Sequence, residues 1–411
     1  MLRLLHSQGV ALSSLGVSNA TGPQESGVSP RQVWRTFAEH QHLFRGTPSS
    51  LWLRESLAAA FNVTEKLSGG NAERLYDTID AALKRDSSRP SVLLDTFNIR
   101  LLATTNGATD ELAAHAALSR GALRGRVVPT FRPDDVTDVL APHWLSNLAK
   151  LRELTGERID TFPSFLSALR IRRRAFIALG ATASDHGATR PTTLALPAQR
   201  AQELFSSALA GGISASEASE FSAHMLVESA RMSAQDGLVM QLHAGVVRNH
   251  DPQLFARYGA DKGGDVPHAV GWTEGLQPLL SELGWHPNLT LVLFTLDEST
   301  YSRELAPLAG HYPILRLGPP WWFHDSLNGM RRYLDAVVET AGVANLAGFN
   351  DDTRAFLSIP ARHTLWRRAV ADWAAEQHAR GVMDWPDARA VVYDLAYGNA
   401  KKTYKLAGQA L

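Results

Sequence analysis

Residues 238–249 read LVMQLHAGVVRN, an apolar run broken once by Gln241 that ends on His243, with Gly245, Arg248 and Asn249 following within a turn. A short buried strand that opens into a functional loop has this form. Upstream lies a helix with its own punctuation. Ser214 and Glu217 form a capping-box pattern at its start, and Gly237 after Asp236 is a good terminator. Six further runs share the pattern: residues 100–105 (RLLATT), 126–131 (RVVPTF), 175–183 (AFIALGATA), 289–295 (LTLVLFT), 313–318 (PILRLG) and 344–349 (ANLAGF). They lead into Thr104-Thr105, Arg132, Asp185-His186, Asp297-Glu298, Trp321-Trp322 and Asn350-Asp351-Asp352-Thr353-Arg354. Amphipathic helical stretches separate them, as in βα units around a parallel sheet.

A (β/α)8 barrel places its active site at the C-terminal ends of its strands, so the repeated passage from apolar to ionisable residues favours that fold. The count is seven, one short of closure, and no convincing strand lies upstream of Arg100. An open doubly wound sheet tolerates seven strands, but nothing here resembles its Gly-rich first βα turn. The expected fold is therefore α/β, a (β/α)8 TIM-type barrel with its first strand missing. Residues 1–90 read as a helical region, in which Ser68-Gly69-Gly70-Asn71 caps a helix through Leu75, Ile79 and Leu83. Residues 91–411 read as the barrel, with a helical insertion near 190–235 and C-terminal helices.

Composition bounds the partners. The 411 residues carry 41 basic and 41 acidic side chains, 45% hydrophobic residues and no cysteine. Disulfides and thiolate metal sites are excluded, and a balanced charge without a Lys/Arg-rich block argues against nucleic acid. Residues 1–10 (MLRLLHSQGV) are too short and interrupted for a signal peptide, and no apolar run approaches the roughly 18 residues of a membrane span. A cytoplasmic protein with no membrane partner is expected.

If the strand ends converge, one mouth gathers Arg132, Asp185, His186, His243, Arg248, Asp352 and Arg354. Guanidinium forks bind carboxylates through paired hydrogen bonds, while carboxylate and imidazole move protons or hold a divalent metal, a mixture suited to a small polyhydroxy acid. Plainer readings stand beside this one. His243 could be a buried, hydrogen-bonded histidine, and Asp351 to Arg354 could only cap the next helix. Of Trp321-Trp322-Phe323, at least one ring reads as core, while Gly318-Pro319-Pro320 argues for a loop that leaves another to line a pocket. His40-Gln41-His42 has the spacing that presents two imidazoles on one face of a strand. It lies in a helical pattern, VWRTFAEHQHLF, where positions i and i+2 diverge by roughly 200°, so metal ligation there is rejected.

With these residues in hand the chain resembles the uronate isomerases (glucuronate isomerases) of the amidohydrolase superfamily. The resemblance rests on Arg45-Gly46-Thr47-Pro48, Phe97-Asn98-Ile99 with Ala103-Thr104-Thr105, Pro129 to Asp134 (PTFRPD), Ser184-Asp185-His186-Gly187 and Gln241-Leu242-His243 with Arg248-Asn249. It continues through Gly318 with Trp321-Trp322-Phe323 and Asp352 to Ser358 (DTRAFLS) with Arg362-His363, and so spans the whole chain. It implies interconversion of D-glucuronate with D-fructuronate and of D-galacturonate with D-tagaturonate. Hydrogen leaves C2 and arrives at C1, as a proton through an enediolate or as a hydride, while the C6 carboxylate anchors the sugar.

The resemblance further implies a divalent metal, zinc or manganese, and no organic cofactor. It makes Asp352 metal ligand and proton carrier, with His243 and His186 as the other catalytic candidates. Arg354, Arg132, Arg248, Asp185, Trp321 and Trp322 would contact the substrate, and a homo-oligomer stays open. One departure is plain. Family members begin several dozen residues earlier, with a first strand whose HxH pair ligates the metal, and that pair is absent here. A shortened reading frame or a fragment accounts most simply both for it and for the missing eighth strand, with genuine loss of function as the rival explanation. Asp352 and His243 alone are too few ligands for zinc, and unpaired edges invite aggregation. The chain as written is therefore expected to be poorly soluble or inactive. A metal-dependent hydrolase on the same barrel and a non-catalytic sugar-acid-binding barrel are the alternatives.

Overall fold

Six parallel strands form the sheet: β1 (Leu102–Gly107), β2 (Val127–Arg132), β3 (Ala183–Gly187), β4 (Val239–Ala244), then, after the two-residue pair β5 (Val246–Val247) and β6 (Val266–Pro267), β7 (Leu291–Thr295) and β8 (Leu315–Leu317). Their order in space is β1-β2-β3-β4-β7-β8, the sequential parallel order of the expected barrel type, while β5 and β6 make a separate antiparallel ribbon. This computed structural model describes residues 1–20, 27–121, 123, 125–353 and 355–406. No helix among them is long and apolar enough to cross a membrane.

All five residues of β7 are buried, as expected of a parallel strand covered on both faces. Side chains alternate between two cores. Met240, Leu242, Leu291, Leu293, Leu315 and Leu317 pack outward against helices such as Trp272–Leu283 and Leu327–Ala341. Ala183, Val239, Val292, Phe294, Trp321 and Ala347 form the apolar floor inside the curled sheet.

Two of the expected strands are corrected. Of residues 175–183, the first four finish the helix Phe162–Ala178, and β3 begins only at Ala183. The apolar run is the half-buried last turn of that helix, in which Phe176 alone is fully buried. Residues 344–349 form no regular strand. Leu346 makes a single parallel bridge to Leu317, and Gly348, at φ +79°, leaves strand geometry two residues later.

Before β1 the described chain is helical, including Pro30–Glu39, Pro48–Phe61, Ala72–Leu83 and Pro90–Thr96, with a small core around Leu57, Leu67 and Leu75. His40 ends the first of these helices, and both its ring and that of His42 bond to carbonyls of that helix. The helices Ala198–Leu209 and Ala215–Asp236 lie between β3 and β4, the second with the Ser214/Glu217 capping box and Gly237 in the left-handed region.

Candidate active site

Strand register explains which ionisable groups meet. Asp185 pairs with Gln241 and Gly187 with His243 across β3 and β4, so Asp185 and His243 follow Ala183 and Val239 on the inner face. Arg132 ends β2 on that face. All three border a cavity of about 2200 Å³, together with Arg248, Trp321, Trp322 and Asp352. That volume exceeds the roughly 300–1,000 Å³ of a small-molecule pocket. The cavity reaches beyond the mouth, past Ala103 and Thr105 of β1, to Tyr404. Among the described residues β1 pairs only with β2, which leaves this flank of the sheet open.

Arg132 and Asp185 organise one wall. The Arg132 guanidinium donates to Asp134 at 2.7 Å and to Asp185 at 3.1 Å, and Asp134 also accepts from the Gly187 amide at 3.2 Å. Burial pushes Asp185 up, but the nearby His243 and Arg132 outweigh it and hold the carboxyl at about 2. For Asp134 burial prevails over Arg132 and raises it to about 6.

His243 Nδ1 stands 2.8 Å from Asp185 Oδ1. It is a close electrostatic contact that lowers the Asp185 carboxyl. The imidazole lies flat on Phe294, with centroids 4.3 Å and planes 9° apart, and meets the edge of Trp321 at 4.8 Å. Gly245 follows at φ +88°, a turn that favours glycine and takes the chain into the β5 ribbon and Arg248.

Trp321 joins this wall to the opposite one, its indole N–H donating to Asp352 at 3.3 Å. Trp321 is buried, whereas the Asp352 side of that bond is exposed to the cavity. Trp322, held at φ +45°, carries the Arg248 guanidinium 4.6 Å from its ring centroid, and Arg248 also pairs with Asp265 at 2.8 Å.

Two candidates fall elsewhere. His186 is adjacent to Asp185 on β3 and therefore points to the other face. It is buried there, its Nε2 3.1 Å from Ser184 Oγ, and it does not border the cavity. Burial, then the Arg173 charge, lowers it to about 3, which keeps it neutral. Arg354 lies outside the described residues.

The structure adds residues that the sequence did not single out. Arg362 bonds both Asp351 and Asp325 at the cavity wall, beneath Trp52 of the N-terminal helices, and Phe97 borders the cavity nearby. Tyr404 donates to Gln241 at 2.7 Å from the far end of the chain. Arg362 carried only a family block as its signal, and Asp351 only its place beside Asp352; Asp325 had none beyond following the tryptophans.

Zinc in a catalytic site takes three protein ligands plus water. Among the described residues no group of three His, Asp or Glu side chains could hold a metal, although His243 Nδ1 and Asp185 Oδ1 are buried without hydrogen bonds. The donors present do not make a complete site.

The sequence profile of glucuronate isomerase matches residues 14–404. The chain belongs to the glucuronate isomerase family. It is 48% identical over 406 residues to a uronate isomerase of Nostoc punctiforme, covering 99% of this chain and 85% of that one. A uronate isomerase of Phenylobacterium zucineum is equally similar, 48% over 406 residues, with 99% and 84% covered. Among solved structures, the glucuronate isomerase of Caulobacter crescentus superposes with a TM-score of 0.96 at 47% identity, covering 99% and 85%. That of the uronate isomerase of Thermotoga maritima is 0.90 at 28% identity, with 98% and 86% covered. Glucuronate isomerase family membership thus agrees with the parallel sheet and with the cavity at its strand ends.

Proposed function

We propose that this chain is an aldose–ketose isomerase of uronic acids, interconverting D-glucuronate with D-fructuronate and D-galacturonate with D-tagaturonate. Family membership supports the reaction. The observation that carries the site is Asp352, an exposed carboxylate tethered by the Trp321 indole in a cavity that also contains Arg132 and Arg248.

In this reading Asp352 accepts the C2 proton of the open-chain aldose, the O2 hydroxyl proton passes to O1 within the enediolate, and Asp352 returns its own proton to C1. Proton transfer by a positioned carboxylate contributes roughly 10²–10⁴ in rate. Arg248 binds the C6 carboxylate, since it has one acidic partner and is partly exposed, whereas Arg132 is already shared by Asp134 and Asp185. Trp321 and Trp322 line the sugar's path. His243 and Asp185 form the polar floor on which a substrate oxygen rests. A divalent cation, zinc or manganese, stays with this reading as a family expectation. Among the described residues no three His, Asp or Glu side chains come together to hold it, and each step above is carried by the chain's own groups.

The test is conversion of D-glucuronate in D2O, with zinc or manganese supplied and again with chelator. Ketose formation with deuterium at C1 supports the proposal. No conversion under any condition would remove the isomerase reading, and conversion without deuterium would remove Asp352 as an exchangeable proton carrier.

A further inference from the structure

Arg362 sits in the first turn of the helix Ile359–Ala379, where a cation usually points to water, yet its side chain is only 9% exposed. Its Nε donates to Asp351 and its Nη2 to Asp325, both of whose side chains are also buried. The guanidinium carbon lies 4.6 Å from the centroid of Trp52. One guanidinium therefore joins the loop after β8, the loop after Leu346 and the N-terminal helices.

Energetics alone do not account for this arrangement. Burial raises the Asp351 carboxyl to about 7 and that of Asp325 to about 6 against the pull of Arg362, and apolar residues of similar volume often serve stability equally well. What the cluster supplies is geometry. Asp325 closes the segment that carries Trp321 and Trp322, and Asp351 immediately precedes Asp352. The two loops also meet at the cavity, where Trp321 donates to Asp352. Arg362 ties them a second time from behind.

We propose that Arg362 is a positioning residue for the isomerisation: by bonding Asp325 and Asp351 together it holds Asp352 against Trp321 in the geometry that proton transfer needs. This rests on Asp352 as the proton carrier. The planar fork matters, because Nε and Nη2 reach two carboxylates from positions fixed in one plane, whereas a lysine ammonium is a flexible point charge.

The experiment compares the wild-type chain with Arg362→Ala, Arg362→Lys and Asp325→Asn. It measures kcat and KM for D-glucuronate, rescue by millimolar guanidinium, and hydrogen exchange in residues 319–326 and 350–353. Arg362→Ala is expected to lower kcat by about 10², the scale of a small misplacement of a catalytic group, with KM within about twofold. Added guanidinium restores part of that loss, and Arg362→Lys does not. Exchange rises in both segments, and Asp325→Asn, which keeps the side-chain volume, shows the same pattern more weakly.

An unchanged kcat in Arg362→Ala overturns the proposal, as does a loss of activity without guanidinium rescue. Unchanged exchange in both segments overturns it whatever the activity. Should the wild-type chain fail to isomerise D-glucuronate while Arg362→Ala still loosens both segments, the isomerase reading falls and the role in isomerisation falls with it.

Discussion

The Nδ1 atom of His243 lies 2.8 Å from Asp185, and Arg132 reaches the other oxygen of the same carboxylate at 3.1 Å. Burial opposes ionisation of Asp185, yet these two neighbours keep the carboxyl at about 2, below its ordinary value. A group depressed in the folded state contributes stability above its unfolded pKa and loses it as pH falls toward the folded one. The shift corresponds to something on the order of 2 kcal/mol. Asp185→Asn should therefore be less stable than wild type at pH 7 by about that amount, with the gap closing between about pH 4 and pH 2. Urea unfolding at a series of pH values measures it, and a gap independent of pH would refute it.

Gly318 leaves room for the ring beneath His243. A Cβ there would stand 2.4–2.7 Å from three atoms of Phe294, too close for any of them to stay. Phe294 is the ring on which His243 stacks. Gly318→Ala should cost about 1–3 kcal/mol by overpacking and lower uronate turnover as the imidazole shifts. Thermal unfolding alongside kinetics checks both effects, and a variant with wild-type values in each would show the contact to be slack.

His186 provides a contrast. Burial and the Arg173 charge lower it to about 3, so the folded state excludes a proton that the unfolded chain accepts. Its contribution is complete above the unfolded value near 6.5 and is lost as pH falls from there toward 3. Replacing His186 with Gln should flatten the acid limb of the stability curve and leave KM for uronates unchanged. A raised KM with an unchanged acid limb would return His186 to the active site.

Asp352 and Arg248 should separate in kinetics. Because Asp352 is exposed, Asp352→Asn is expected to lower kcat by about 10²–10⁴ while the melting temperature barely moves. Arg248→Met removes the proposed carboxylate partner and should raise KM far more than it lowers kcat. Steady-state assays on both variants decide the matter; equal effects on kcat and KM in each would contradict the division of roles.

Legibility in the sequence followed local contrast. Strands β4 and β7 were readable because compact apolar runs end sharply at His243 and Thr295. Residues 175–183 were not, since a half-buried helix terminus and a buried strand are equally apolar and only the left-handed turn at Gly180 separates them here. Residues 344–349 look like a strand in one dimension. In three, the chain turns at Gly348, at φ +79°, and packs so closely on the Ala400 backbone that an added Cβ would stand 2.7 Å from it, a contact made across some fifty residues. Arg132 and His243 meet at Asp185 because all three lie at strand ends on the inner face. His186 is excluded from the same face by strand geometry: with a period of two, neighbours on a strand cannot both face inward. Arg362 with Asp325 could not be read locally, because nothing in a helical first turn announces that its cation is buried between two loops.

Trp52 and Phe97 belong to segments that precede β1, yet both border the same cavity as Asp352. The chamber is thus enclosed in part by the helical region upstream of β1. A mutagenesis library aimed at a new sugar preference and confined to the loops after the strands would leave this part of the enclosure constant. Substitutions recovered from whole-gene selection should fall in residues 48–61 as well, paired with compensating changes in the first turn of the helix that bears Arg362.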